Sequence, residues 1–400
     1  MTGRPFLQRR RTPALAAALL SCLLVTGCGV APGAKETARR VEGPVFHETE
    51  NPKKLSEWGL FSVGKSLTLS DGVVPYDLNT PLFTDYAHKL RTVWIPGGAP
   101  AGYAPGVALD FPEGTVISKT FYYPKAEHGP GFDGRVLKSD FESGRIGSHL
   151  SDLSGVRLVE TRLLVRRAAG WNAISYVWDD DQRDATLTRI GDAQRLTLVA
   201  RSEDGGVSET PFTYIVPDVN QCAGCHAPNN TTREISPIGP KPRHLNRDFA
   251  YADGTANQLA YWRDAGLLSF DGAIETAPRN ADWSDETASL DARAVAYLDA
   301  NCSHCHNPVG PADTSGLMLT PDAPAGTARG LCKLPVAAGS GTGGRRFDIV
   351  PGAPDQSILL FRMESAKSDE MMPELGRSLI HEEGVALIRA WIEAMEGDCS

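Results

Sequence analysis

Two short runs bring together residue types that do chemistry jointly: Cys222-Ala223-Gly224-Cys225-His226 and Cys302-Ser303-His304-Cys305-His306. Each reads Cys-x-x-Cys-His, the attachment pattern of c-type haem. Two thiols about one helical turn apart can add across the two vinyl groups of a porphyrin, while the next residue offers an imidazole to the iron. The spacing predicts two covalently bound c-type haems on Cys222, Cys225, Cys302 and Cys305, with His226 and His306 as proximal ligands. The same residues admit two other chemistries, a zinc site and a thiol–disulfide centre. Zinc ribbons do not require His directly after each pair, and a redox fold needs one such motif, so haem is the leading reading.

The surroundings of the second motif suggest a sixth ligand. A helical pattern opens at Ser289 and runs into Cys302, a Gly- and Pro-rich stretch follows, and Met371-Met372-Pro373 precedes a last amphipathic pattern. This arrangement resembles a class I cytochrome c domain over about residues 284–398. The resemblance implies Met372, the Met followed by Pro, as the sixth ligand of the second iron, with Met371 as the runner-up. Met318 and Met363 read as core packing. The first motif differs, since no Met lies between His226 and Asn301, and His244 is the lone His in that span. His244 is a candidate ligand there. The alternatives are a polar loop beside a propionate, formed with Lys241, Arg243 and Arg247, an open axial position, or a Met supplied from elsewhere.

The N-terminus reads as an export signal over residues 1–27: Arg4, Arg9, Arg10 and Arg11 precede an apolar stretch over 14–25. Val25-Thr26-Gly27-Cys28 resembles a bacterial lipobox, which makes Cys28 the lipidated first residue of the mature chain. Gly29 favours the outer membrane by resemblance to Gram-negative lipoproteins. Periplasmic export is also where thiols meet oxidants and haem is attached. Cys22 is lost with the signal, so Cys332 and Cys399 are left over and are expected to pair as a disulfide. Arg345 and Arg346 are candidates for propionate pairing. The formal charge of −9 deepens to −13 once the four signal arginines are removed. An acidic chain without a basic stripe does not suit nucleic acid and favours a neutral or basic protein partner.

These residues need a scaffold. At 400 residues, 41% apolar and 22% charged, the chain is long enough for two or three packed domains, and 40 Gly with 28 Pro point to a loop-rich architecture. Residues 28–51 read as a lipid-anchored linker. Strand-like runs at 115–123, 157–167, 171–178, 195–201 and 211–216 predict an all-β domain over 52–217, sandwich or barrel-like. Ala168-Ala169-Gly170 reads as a hairpin loop within it. A first haem-binding segment follows over 218–283. Helical patterns at 258–267, from Ser289 to Cys302 and near the C-terminus predict a mainly α cytochrome c-type haem region, ending in a second-haem domain over 284–400.

Taken whole, the chain resembles a family of exported, often lipid-anchored dihaem c-type cytochromes associated with a parallel β-helix partner protein. The resemblance is carried by Pro75-Tyr76-Asp77-Leu78-Asn79-Thr80-Pro81-Leu82-Phe83, both haem motifs, Ile238-Gly239-Pro240-Lys241, Asp348-Ile349-Val350-Pro351-Gly352 and Met371-Met372-Pro373-Glu374-Leu375-Gly376. It supports the haem count and adds the β-helix partner. Electron transfer in the bacterial cell envelope, with a redox partner protein and a membrane anchor, is expected because two haems in one chain, one of them Met-ligated, make a short relay. No residue reads as a general base or nucleophile. Two further functions stay open: a dihaem peroxidase or oxidase with a five-coordinate first haem, and a binding module whose haems report redox state.

Overall fold

The computed structural model describes residues 43–127, 131–139, 152–336 and 338–399; the export segment, Cys28 and the linker up to residue 42 lie outside them. Nine strands build the sheets that matter for the site: β1 (Val73–Tyr76), β2 (His88–Trp94), β3 (Val116–Pro124), β4 (Arg135–Leu137), β5 (Val156–Arg167), β6 (Gly170–Trp178), β7 (Ala185–Thr188), β8 (Asp192–Arg201) and β9 (Val207–Val216). Six of them form an antiparallel sheet in the order β7-β6-β5-β3-β2-β1. A smaller sheet has the order β9-β8-β4, antiparallel between β8 and β9 and parallel between β8 and β4. The β5–β6 hairpin turns at Ala168-Ala169, and Gly170 supplies the positive φ of 119°.

Period-two alternation gives the large sheet two different faces. On one, Val116, Leu163, Val165, Ile174 and Trp178 pack with Trp58 and Phe61 from the N-terminal segment. On the other, Phe121, Tyr123 and Val159 meet Leu196, Leu198, Phe212 and Tyr214 of the small sheet. Neither sheet closes on itself, and the two meet through this second set of residues. Residues 43–51, expected to belong to a linker, lie on this body instead. The Arg167 guanidinium holds them, donating to the carbonyls of His47 and Glu50 and to Asn51 Oδ1.

After β9 the chain forms α1 (Val219–His226), α2 (Pro242–Leu245), α3 (Gln258–Asp264), α4 (Leu290–Asn301), α5 (Ile358–Glu364) and α6 (Glu382–Glu393). The expected mainly α haem region is not what forms. These are short helices, of 4 to 12 residues, separated by turns, 3-10 segments and the two-stranded ribbon Asp248–Tyr251 with Gly254–Asn257. The Gly and Pro content explains it. At Gly330, for example, φ is 102° and a Cβ would lie 2.8 Å from Leu317 Cδ1, so the chain turns where no other residue fits. Helix α4 is capped by Ser289, whose Oγ accepts from Ala292 N–H at 3.2 Å, and its apolar stripe packs on α5 and α6 through Tyr297, Leu298, Leu360, Ile388 and Trp391.

A strap from Asp77 to Tyr86 joins the sheet to everything that follows. Asp77 pairs with Gln258 through N–H and carbonyl, and Asn79 Nδ2 donates to the carbonyls of Arg243 and Asn280. Further along, Phe83 N–H donates to Asn301 Oδ1, and Asp85 Oδ1 accepts from the N–H groups of Ser378 and Leu379. Among the described residues no helix is long and apolar enough to cross a membrane.

Candidate functional site

The first motif sits on α1, which follows β9 directly. Asp218 caps this helix, accepting from Gln221 N–H at 2.8 Å while Gln221 Oε1 accepts from Asp218 N–H at 3.0 Å. No helix was expected here; the Asp-x-x-Gln capping box was the signal available in the sequence. The second motif forms the turn that ends α4, with Cys302 as its C-cap. The two motifs adjoin, since Cys305 Sγ lies 3.9 Å from Gly224 O.

Both motif histidines are prepared in the same way. His226 Nδ1 lies 3.1 Å from Ser236 O and His306 Nδ1 lies 3.3 Å from Leu317 O. A carbonyl can only accept, so Nδ1 carries the proton in each ring and Nε2 keeps its lone pair. Burial pushes the His226 imidazolium down to about 3, aided by the nearby Lys119 cation, and burial likewise lowers His306. Both rings are therefore neutral donors at neutral pH. The four thiols go the other way: burial raises Cys222 and Cys225, and raises Cys302 and Cys305 to about 12. Reactive thiols are thiolates, so a thiol–disulfide centre is disfavoured in this setting. Among the described residues no three His, Cys, Asp or Glu side chains converge to hold a bare metal ion. A haem iron needs no such cluster, because the porphyrin supplies four of its ligands.

Two cavities receive these groups. The first, about 1250 Å³ of atom-free space including its mouth, is lined by Cys222, Cys225 and His226 together with Leu163, Leu164, Ile174 and Ile238. The second, about 1470 Å³ on the same measure, is lined by Cys302, Cys305, His306, Leu317, Leu319 and Leu359. The walls suit a flat apolar cofactor with an anionic edge. Ile215 and Leu375 border the first cavity yet are 44% and 39% exposed, apolar surface that such a ring would cover. Lys119 and Arg162 border it as well. They are direct cross-strand partners, with Arg91 next in the same row. Like charges placed opposite each other repel. Arg91 pairs with Asp77 and Arg162 with Glu160, whereas Lys119 has no ion pair among the described residues and sits 5.6 Å from the Phe121 ring centroid. Burial together with Arg91 and Arg162 pushes the Lys119 ammonium down to about 7. A propionate would neutralise it.

The remaining sequence candidates fall as follows. Met372 lines both cavities and Met371 neither. Met363, read from sequence as core packing, is in the helical core and also lines both. His244 is buried on α2 rather than lying on a polar loop, and its Nε2 is 2.8 Å from Asp299 Oδ2. That carboxylate also accepts from Arg243, Asn280 and Ser303. Burial alone would raise Asp299, but the hydrogen bonds from Arg243 and His244 and the Lys241 charge outweigh it and hold it well below the usual carboxylate range. Since an ionised carboxylate only accepts, His244 Nε2 carries the proton, which leaves Nδ1 as the nitrogen with a lone pair. Arg345 donates to Asp355 O and covers the Phe361 ring, and Arg346 covers the Phe347 ring; neither borders a cavity. Arg362 borders the second instead. Cys332 and Cys399 are joined as a disulfide with Cα atoms 5.2 Å apart. Cys28 lies outside the described residues.

Compared with known proteins, the chain matches no family model, no curated protein and no solved structure.

Proposed function

We propose that this chain is a dihaem c-type cytochrome that carries electrons in the bacterial cell envelope. The observation that carries the reading is the pair of adjoining Cys-x-x-Cys-His motifs, each with its imidazole Nδ1 held by a backbone carbonyl and its histidine lining a cavity with apolar walls. The group supplies one-electron iron chemistry when bound. The chain's own residues do the rest. Cys222, Cys225, Cys302 and Cys305 tether, His226 and His306 present a ligand nitrogen, and Met372 offers a thioether to the second iron. A thioether raises the reduction potential relative to a second imidazole. Lys119 and Arg162 balance negative charge at the first cavity. The region carrying the second motif is read as related to class I cytochrome c, supported by α4 running into the motif, the Met372 loop, and α6 packed on α4. The acidic surface suits a neutral or basic redox partner, and a lipid on Cys28 would keep the protein at the periplasmic face of a membrane, the outer one favoured.

Protein made with a haem-attachment system is expected to gain the mass of two haems, and the double variant Cys222→Ala/Cys225→Ala the mass of one. Both haems are expected to reduce and reoxidise without substrate turnover. A purified protein holding zinc and no haem overturns the proposal.

A further inference from the structure

The second motif contains a histidine, His304, that its own haem does not use. Successive side chains along a helical turn advance by about 100°. Cys302, Cys305 and His306 thus share one side of their turn, which is closed by Cys305 N–H and His306 N–H donating to Cys302 O at 3.1 and 2.9 Å. His304 lies about 200° from both Cys302 and His306, on the opposite side. His304 lines the second cavity and also the first, which Cys222, Cys225, His226 and Cys302 share, and the adjoining one that holds His226 with Lys119. His304 is 9% exposed. Its Nδ1 is wholly buried without a hydrogen-bond partner, and among the described residues no hydrogen bond to either ring nitrogen is formed. Leaving a buried polar group unsatisfied costs about 1–3 kcal/mol. An imidazole held this way, facing a cavity that already presents a second imidazole, is explained by a ligand.

We propose that His304 is the sixth ligand of the first iron, so that the first haem is clasped between its own motif and the second one. The inference rests on the dihaem reading. It supplies the partner that the absence of Met between the motifs leaves open, with a ring whose Nδ1 is buried and unpartnered, whereas His244 Nε2 is committed to Asp299. It also explains why the motifs adjoin, since a ligand two residues from His306 can reach the first site only if the second motif packs against it. Bis-imidazole ligation gives the first haem the lower potential of the two.

The test uses the full chain made with a haem-attachment system, with haem content read by mass. Loss of both haems from the parent protein rejects the dihaem reading itself, independently of His304. With two haems present, electron paramagnetic resonance and near-infrared magnetic circular dichroism of the ferric protein are expected to show one bis-imidazole and one imidazole–thioether haem. His304→Ala is expected to turn the bis-imidazole signal into a high-spin one that free imidazole restores, and His244→Ala to leave it in place. If the Ala variant does not assemble, His304→Met is expected to replace the bis-imidazole signal by a second imidazole–thioether signal. A bis-imidazole signal that survives either His304 substitution, or a first haem already high-spin in the parent, overturns the assignment.

Discussion

At the residue scale, spacing along the chain marks the candidate tethering and ligating groups, while strand pairing brings in others that no local pattern marks. The Cys-x-x-Cys-His runs and Met372 are of the first kind. Met372 borders both cavities while Met371, one residue away and buried, borders neither. Met372→Ala is therefore expected to change the spectrum of the second haem and lower its potential, and Met371→Ala to change it much less, as checked by redox titration followed optically. The opposite order would move the ligand by one residue. Lys119 is of the second kind. Its place in a row with Arg91 and Arg162 follows from strand register, which no local pattern announces. Removing a buried cation beside a haem favours the more positive, oxidised iron. Lys119→Met is expected to lower the potential of the first haem and leave the second nearly unchanged.

At the element scale, the long amphipathic or β-branched runs were legible and the short connecting pieces were not. The expected strands at 157–167 and 171–178 correspond to β5 and β6 within a residue, because alternation over nine or more positions leaves little freedom. Strands β1, β4 and β7, of three or four residues, carry too few alternations to be seen. Helix α1 was hidden because most of it is the Cys-x-x-Cys-His motif, whose Cys, Ala and Gly have no apolar period. The approach of α1 to the Met372 loop depends on Gly224. A Cβ there would lie 2.7 Å from Leu375 Cδ1, the far end of a flexible side chain. Gly224→Ala is expected to be accommodated, helped by about 1 kcal/mol of helix propensity. Gly224→Val, bulkier and stiff at χ1, is expected to push the loop away and weaken the thioether signature of the second haem, although residue 224 belongs to the first motif. An unchanged ferric absorption spectrum in the Val variant would show that the loop is not seated on α1.

At the scale of the whole molecule, the strap from Asp77 to Tyr86 determines how the parts behave together. In sequence its part up to Phe83 is marked only by the family resemblance, since its role lies in distant partners such as Gln258 and Ser378, 181 and 293 residues away. Asp85 is one of its anchors, beside Tyr86. Burial raises the carboxyl to about 6, against the lowering effects of the Leu379 and Ser378 N–H groups, Arg377 and Lys89. A group that binds its proton more tightly when folded contributes stability that is complete below its ordinary value of 3.8, falls as the pH rises through about 6, and is constant above. Asparagine cannot ionise, and its Oδ1 can still accept from both N–H groups. Asp85→Asn is accordingly expected to melt at a temperature that, relative to the parent protein, rises between pH 4 and about pH 7 and then levels off. Because the strap joins the sheet to the region of the two cavities through hydrogen bonds, far-ultraviolet circular dichroism and the absorbance of the proposed haems should report one transition in both proteins. A difference in melting temperature that does not vary with pH would remove Asp85 from this role, and separate transitions for the two probes would show that the strap does not couple the sheet to the haem sites.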